Sequence, residues 1–297
     1  MSEPRRFTAL VNPISGGGRA AQKWAPLAAR ISASGADVRV ELTRSREHAI
    51  EAATAAAAAG DVVVAVGGDG LVRDIAGGVV AAAATNPTAT MAIVPAGRGN
   101  DLARALRLPT DLDALLQMML NGPARPIDVI DVAGVIVPGN VYAGIDSVAN
   151  ALINSNRWIP GLLLYRLAPI RAIATWHAPT YTITADGQTR TVRAHTVIIA
   201  NSGGYGHGLQ IVPGAIVDDG LLDVMVVGHG PRRAVASFMR QAKTGRHIQR
   251  PEVTLMTARE VTISADRPLP FCGDGDELGQ LPKTVTIRPG ALNLIAP

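Results

Sequence analysis

The apolar run Val62-Val63-Val64-Ala65-Val66 empties directly into Gly67-Gly68-Asp69-Gly70, and this constrains the fold more than any other feature of the chain. A strand followed by a glycine-rich turn and a helix leaves backbone N–H groups unobstructed at a positive helix end, where phosphate oxygens dock. The feature points to a nucleotide-binding enzyme.

Around that run the first 125 residues alternate short apolar strands with helical patterns. Phe7–Val11, Asp37–Leu42, Val62–Val66 and Met91–Val94 read as strands; Ala20–Ser34, Arg46–Ala59 and Leu71–Ala84 read as helices. Such alternation implies an α/β fold, a doubly wound parallel sheet whose ligands bind outside the carboxyl ends of the strands. Three of the strands end in marked turns: Asn12-Pro13-Ile14-Ser15-Gly16-Gly17-Gly18, Gly67–Gly70, and Pro95-Ala96-Gly97-Arg98-Gly99-Asn100-Asp101. All three are expected to converge on one edge. One glycine run alone is more often a tight turn, but three at successive strand ends favour a phosphate site. The lysine-bearing P-loop spacing and the dinucleotide fingerprint are both absent.

After about Pro126 the texture changes to β-branched runs, Val129–Val137, Thr180–Thr184, Thr191–Ala200 and Leu221–Val227, with Asp186-Gly187 marking a hairpin. This predicts an antiparallel β-sandwich as a second domain, interrupted by a helix-rich insertion at about Ser147–Thr175. The expected division is 1–126 for the nucleotide domain and 127–282 for the second, with 283–297 packing back on the first.

With 297 residues and 47% hydrophobic content the chain can bury a large core. One cysteine, Cys272, excludes an internal disulfide, and Met1–Arg6 lacks the apolar core of a signal peptide, so a cytoplasmic location is expected. No stretch reaches the roughly 18 apolar residues of a membrane span, so a membrane would be met at its surface. The net charge of +4 is unevenly spread. No acidic residue lies between Ser147 and Ala185, where Arg157, Arg166 and Arg171 sit among Trp158, Tyr165, Trp176 and aliphatic residues. From Met225 to Pro251, a segment that otherwise reads as a helix, the basic residues are Arg232, Arg233, Arg240, Lys243, Arg246 and Arg250. Both stretches suit an anionic lipid surface, and an ordinary solvated face is the competing reading. No motif for reading nucleic acid accompanies them.

These turns and several later segments together resemble the diacylglycerol kinase catalytic domain family of bacterial soluble lipid kinases, related to sphingosine and ceramide kinases. The three turns match the family's Asn-Pro-x-Ser/Ala-Gly, Gly-Gly-Asp-Gly and Pro-x-Gly-x-x-Asn-Asp in order. Asn140-Val141-Tyr142-Ala143-Gly144-Ile145-Asp146 looks like its Asn-x-x-x-Gly-Phe-Asp. Asn201, Tyr205, Gly206, Gly208, Pro213, Ala215 and Asp219–Asp223 look like its Asn-to-Asp-Gly-Leu block, and Asp274–Gly279 with Pro282 resembles Asp-Gly-Glu-x-x-Gly.

The resemblance implies ATP binding by Asn12, Ser15, Gly16, Thr43, Gly67, Gly68, Asp69, Gly70 and Gly97. Asp69 would hold Mg2+ bridging the phosphates, and a structural Mg2+ would lie on Asp219 with the carbonyls of Ile216 and Leu221. Phosphoryl transfer to an alcohol needs a proton acceptor. The terminal motif offers Asp276, which aligns with the family's glutamate and ranks first, then Asp274, then Glu277. The family's Gly-Gly-Asp-Gly-Thr-x-Asn-Glu is here Gly67-Gly68-Asp69-Gly70-Leu71-Val72-Arg73-Asp74, and its Gly-Thr is Gly97-Arg98. Arg73 and Arg98 would then supply charge to the phosphates. The acceptor implied is diacylglycerol or a similar lipid alcohol, with Trp158–Tyr165 lining an acyl cleft or touching the bilayer, and a core helix as the competing reading. Competing readings are an NAD kinase-like phosphotransferase and a silent lipid- or nucleotide-binding protein. An exposed strand edge in the second domain would support a homodimer.

Overall fold

The computed structural model describes residues 5–155, 175–206, 208–231 and 234–297. In the first half, strands β1 (Arg6–Val11), β2 (Asp37–Leu42), β3 (Val62–Gly67) and β4 (Thr90–Pro95) alternate with helices α1 (Ala20–Ala33), α2 (Arg46–Ala58) and α3 (Asp69–Ala82). The strands pair in parallel in the order β2-β1-β3-β4. Central β3 is buried throughout, as its continuous valine run requires. Helix α1 turns Ala20, Trp24, Leu27 and Ile31 inward at helical spacing. Helix α2 buries Ala49, Ala53 and Ala57. It approaches α3 closely enough that a Cβ on Gly78 would lie 2.6 Å from the Ile50 carbonyl oxygen.

Helices α4 (Asp101–Ala105) and α5 (Leu112–Asn121) lead into β5 (Ala124–Val132), β6 (Val135–Val137), β7 (Asn140–Gly144) and α6 (Ile145–Ser155). There follow β8 (Thr180–Ala185), β9 (Gln188–Ala200), β10 (Gly204–Tyr205), β11 (Leu209–Gln210), β12 (Leu222–Gly228) and α7 (Val235–Ala242). The chain ends with β13 (Val253–Ala258), β14 (Glu260–Ala265), β15 (Pro270–Gly273), β16 (Asp276–Gln280) and β17 (Lys283–Ile295). Long β9 passes between two layers: its first half pairs with β8 and its second with β7 and β12, all antiparallel. The Asp186-Gly187 turn joining β8 to β9 has φ of 44° and 81°. Strand β17 links the halves. Its first part pairs with β14, and beyond an irregularity between Arg288 and Leu292 its end runs parallel to β4. Leu292, Leu294 and Ile295 consequently belong to the core of the first half.

Alternation along β7, β9 and β12 separates two environments. Val141, Ala143, Val197, Ile199, Val224 and Val226 pack inside the sandwich. Tyr142, Ile198, Met225 and Val227 form the opposite face with Phe238 of α7.

Two local expectations need correction. Met225–Pro251 is not one helix: Met225–Gly228 completes β12, α7 spans only Val235–Ala242, and a 3-10 turn follows at Arg246–Gln249. Strand pairing of Val226 and Val227 against β9 and β13 outweighs local pattern there. Helix α3 begins at Asp69 rather than Leu71, because Gly68 is extended and acts as its N-cap while Asp69 favours the positive first turn. Residues Trp158–Tyr165, Arg157, Arg166, Arg171, Arg232 and Arg233 lie outside the described residues.

Candidate active site

The three glycine turns meet at the carboxyl ends of β1, β3 and β4. The Asn12 amide donates to the Val66 carbonyl at 3.2 Å and the Ala96 amide to Gly67 at 2.8 Å. Contact is closest at the glycines. A Cβ on Gly97 would lie 2.4 Å from the Gly68 Cα, and one on Gly16, whose φ is 61°, would lie 2.5 Å from the Ala96 oxygen. Asn100, with φ of 53°, closes the third turn: its Oδ1 accepts from the Gly97 amide at 2.8 Å and its Nδ2 donates to the Gly97 carbonyl at 3.1 Å.

Gly16, Gly97 and Arg98 border a cavity of about 680 Å³, together with Arg19 and Lys23 of the first turn and α1. Arg19 donates through Nε to the Gly16 carbonyl at 3.0 Å and the Lys23 ammonium donates to Pro95. Partial burial pushes the Lys23 ammonium down. A cavity of this size with basic side chains and glycine amides suits a polyphosphate. Asn12, Ser15, Gly67 and Gly68 form the turns behind it. A Cβ on Gly67 would lie 3.3 Å from the Ser15 hydroxyl. Thr43, which continues from β2 and whose amide donates to Val11 at 2.9 Å, does not border this cavity, and neither does Gly70. Gly70 faces Asp276 instead: a Cβ there would lie 3.0 Å from Oδ2. Sequence reasoning missed Arg19 and Lys23, whose only signal was their place in the turn and helix after the first glycine run.

Asp69 does not face this cavity but a second one. Its carboxylate accepts the amides of Asn100 at 2.8 Å and Asp101 at 2.7 Å, and burial, then the Asp101 charge, push it up. The second cleft, about 570 Å³, opens beside Asp69 and Asp274 and runs over the outer face of the sandwich past Tyr142, Ile198, Met225 and Phe238. Asp146, which also borders it, accepts from Thr196 Oγ1 at 2.9 Å and from Tyr205 at 3.3 Å. Burial pushes Asp146 up to about 6 against those hydrogen bonds.

The terminal motif forms the turn between β15 and β16. Asp274 and Gly275 take φ of 45° and 87°. The Asp274 carboxylate accepts the Gly139 amide at 3.1 Å and the Asn140 amide at 2.8 Å, an approach only glycine permits at 139, where a Cβ would lie 2.1 Å from Oδ1. Burial, reinforced by the Asp69 charge and opposed by the two amides and Arg73, pushes Asp274 up to about 7. Asp276 is placed differently. It is ion-paired to Arg73 at 2.9 Å, and neither it nor exposed Glu277 borders the cleft.

The Ile216–Leu221 turn lies apart from both cavities. Asp219 Oδ1 accepts the Leu221 amide at 3.0 Å. Buried Asp128, missed from sequence, secures this turn: Oδ2 accepts from Gly220 at 2.6 Å, Oδ1 from Gly290 at 2.7 Å, and its amide donates to Val217 at 2.7 Å. Asn201 donates to the Asp128 carbonyl at 2.8 Å. Among the described residues no three His, Cys, Asp or Glu side chains converge as a metal centre, so a cation here would rest on one carboxylate and main-chain carbonyls. Those hard oxygen donors fit a magnesium ion that keeps several waters.

Residues 6–132 match the family model of the diacylglycerol kinase catalytic domain, and residues 139–296 that of the YegS C-terminal NAD kinase beta sandwich-like domain. The chain belongs to the diacylglycerol kinase and YegS-like lipid kinase family. A diacylglycerol kinase of Mycobacterium tuberculosis is 32% identical over 302 residues, covering 98% of this chain and 95% of the relative. A probable YegS-like lipid kinase of Pseudomonas fluorescens is 31% identical, covering 89% and 87%. A crystal structure of a putative diacylglycerol kinase from Bacillus anthracis superposes with a TM-score of 0.79 at 22% identity, covering 100% of this kinase and 99% of that chain, and establishes the likeness of fold. Membership makes this a kinase-type enzyme and implies that it uses ATP.

Proposed function

We propose that the enzyme transfers the γ-phosphoryl group of ATP to the hydroxyl of diacylglycerol, giving phosphatidic acid and ADP. The observation that carries this reading is that Asp69 and Asp274, with Gly99 of the third glycine turn, border one and the same apolar cleft. Valine, isoleucine, methionine and phenylalanine walls suit acyl chains and offer little to a dinucleotide, which disfavours an NAD kinase-like acceptor.

In this reading the phosphates lie on the amides of the three turns, with Arg19, Lys23 and Arg98 balancing their charge. Asp274, ionised, accepts the acceptor hydroxyl's proton as that oxygen attacks the γ-phosphorus and the bond to ADP breaks. A carboxylate held near neutrality by burial is better matched to that task than one ion-paired to a guanidinium, so Asp274 takes the role ahead of Asp276. Asp69 orders the Asn100–Asp101 turn and borders the reacting centre. Magnesium at Asp69 would neutralise phosphate charge, and at Asp219 with the Ile216 and Leu221 carbonyls it would brace the turn on Asp128.

No helix among the described residues is long and apolar enough to cross a membrane. The acid-free basic stretches support work at the inner membrane surface, where anionic lipid attracts them. An exposed strand edge in the second half would support a homodimer.

The test incubates the protein with labelled ATP, Mg2+ and mixed micelles of diacylglycerol, with NAD and sphingosine in parallel, for the wild type and Asp274→Asn. Label in phosphatidic acid, lost in the variant, is expected. Label only in NADP, or in no acceptor, would overturn the reading.

A further inference from the structure

Arg73 is a charged side chain that the chemistry above leaves unused, and it is 2% exposed. It lies one helical turn after Asp69 on α3. Burying a guanidinium is costly unless every face is answered, and here each is. Nε and Nη2 donate to Asp74 Oδ1 at 3.2 and 2.8 Å, and Asp74 is itself held by Arg46 of α2 at 3.2 Å. On its other side Nη1 donates to the Gly273 carbonyl at 3.2 Å and Nη2 pairs with Asp276 Oδ2 at 2.9 Å. One rigid fork thus holds Gly273 and Asp276, the residues on either side of Asp274-Gly275.

We infer that Arg73 is a positioning residue, a latch that fixes the Asp274 turn against the helix beginning at Asp69. The inference rests on the reading of Asp274 as proton acceptor. Asp69 and the glycine turns belong to the parallel-sheet half, whereas Asp274 belongs to the sandwich. Phosphoryl transfer needs both carboxylates in one fixed relation to the cleft, and a displacement of about 1 Å at such a centre costs on the order of 100-fold in rate. Gly139 and Asn140 hold the Asp274 carboxylate from the sandwich side. Arg73 joins that turn to the nucleotide side across 200 residues of sequence. It also explains why Arg-Asp stands at 73–74 in place of the family's usual Asn-Glu: the pair supplies a fork and the carboxylate that holds it. Arg73 therefore serves the turn and not the phosphates, whose cavity it does not border.

The test compares wild type, Asp276→Asn, Arg73→Gln, Arg73→Lys and Asp276→Asn/Arg73→Gln. Asp276 is half exposed, so its variant leaves the fold standing. Kinetics with ATP and diacylglycerol micelles should show kcat lowered about 10- to 100-fold in Asp276→Asn, with KM for ATP within about threefold of wild type. Arg73→Lys should recover part of the loss seen in Arg73→Gln, and the double variant should be no worse than Arg73→Gln. Amide hydrogen exchange, which needs no substrate, should quicken at 275–277 in Asp276→Asn while β3 and α3 keep their protection. Unchanged exchange would overturn the latch whatever happens to kcat, because a fall in kcat alone would equally follow if Asp276 were itself the proton acceptor. Should the wild type phosphorylate no lipid, quickened exchange would still establish the latch and the failure would fall on the proton-acceptor reading; unchanged exchange would overturn the latch itself.

Discussion

The Asp69 carboxylate receives the backbone amides of Asn100 and Asp101, at 2.8 and 2.7 Å, so the aspartate of the third strand's turn organises the turn after the fourth. Hydrogen bonds to a charged acceptor contribute about 1.5–3 kcal/mol each, and their donors are left unanswered when the acceptor goes. Asp69→Ala should lower the thermal midpoint by several degrees and abolish phosphate transfer. Asp69→Asn, which keeps one acceptor oxygen, should lose transfer but less stability. Calorimetry beside the labelled-ATP assay checks both, and an Asp69→Ala protein as stable as wild type would contradict the ordering role.

Asp274 should set the acid limb of the pH profile. With its carboxyl raised to about 7, the proton-accepting form appears only as pH rises through that value, so kcat should climb between about pH 6 and 8 and then level. Stability runs the other way. A carboxyl raised in the folded state holds its proton there while the unfolded chain has already lost it, so stability falls as pH increases from about 4 to 7. Asp274→Asn should therefore be catalytically dead yet more stable than wild type at pH 8, with the gain vanishing below pH 4. Thermal unfolding at both pH values, together with a wild-type rate profile, decides this; a flat profile from pH 6 to 8 would exclude Asp274 as the group that titrates.

Gly97 and Gly68 differ in how much they can tolerate. A Cβ on Gly97 would meet the Gly68 Cα at 2.4 Å and Asn100 Oδ1 at 2.9 Å, whereas one on Gly68 would meet the Gly97 Cα at 3.1 Å. Backbone cannot move aside as a flexible side chain can. Gly97→Ala should lose ATP binding by at least about 10-fold and Gly68→Ala should be the milder of the two, measured by isothermal titration with a non-hydrolysable ATP analogue. The reverse order would mean that the two turns do not pack as described.

The parallel sheet was legible because each of its strands is followed within a few residues by the turn and helix that complete it. The turns at Gly16, Gly68 and Gly97 were visible for the same reason. Other contacts were hidden by distance along the chain. Asp274 depends on Gly139 and Asn140, and Arg73 on Gly273, pairings that only the folded sandwich creates. That is why spacing alone ranks Asp276 first, whereas the reading proposed here, which weighs the folded surroundings of both carboxylates, assigns the proton to Asp274. The second cleft was likewise unreadable as a unit, since its wall is assembled from alternate residues of β7, β9 and β12. A signal did exist in Val197–Ala200 and Val224–Val227, which are apolar on both faces and so demand a cover on each.

That alternation supplies a test of the cleft in which neighbouring residues must behave oppositely. Ile198 and Met225 face the cleft, while Val197 and Val224 face the sandwich core. Ile198→Trp places a large ring where an acyl chain would lie, so KM for diacylglycerol should rise by about 10-fold or more while ATP binding is retained. Val197→Trp forces the same ring into a close-packed core, where overpacking costs about 1–3 kcal/mol or more, and should lower the thermal midpoint of the whole protein. Met225→Ala removes volume from the wall and should shift preference toward bulkier acyl chains, read as the ratio of kcat/KM for long-chain over short-chain diacylglycerols. Equal effects of Ile198→Trp and Val197→Trp on stability, with KM for the lipid unmoved, would show that acyl chains bind elsewhere; opposite effects would place the chain on the outer face of β7, β9 and β12, leading from its apolar end to the hydroxyl beside Asp274.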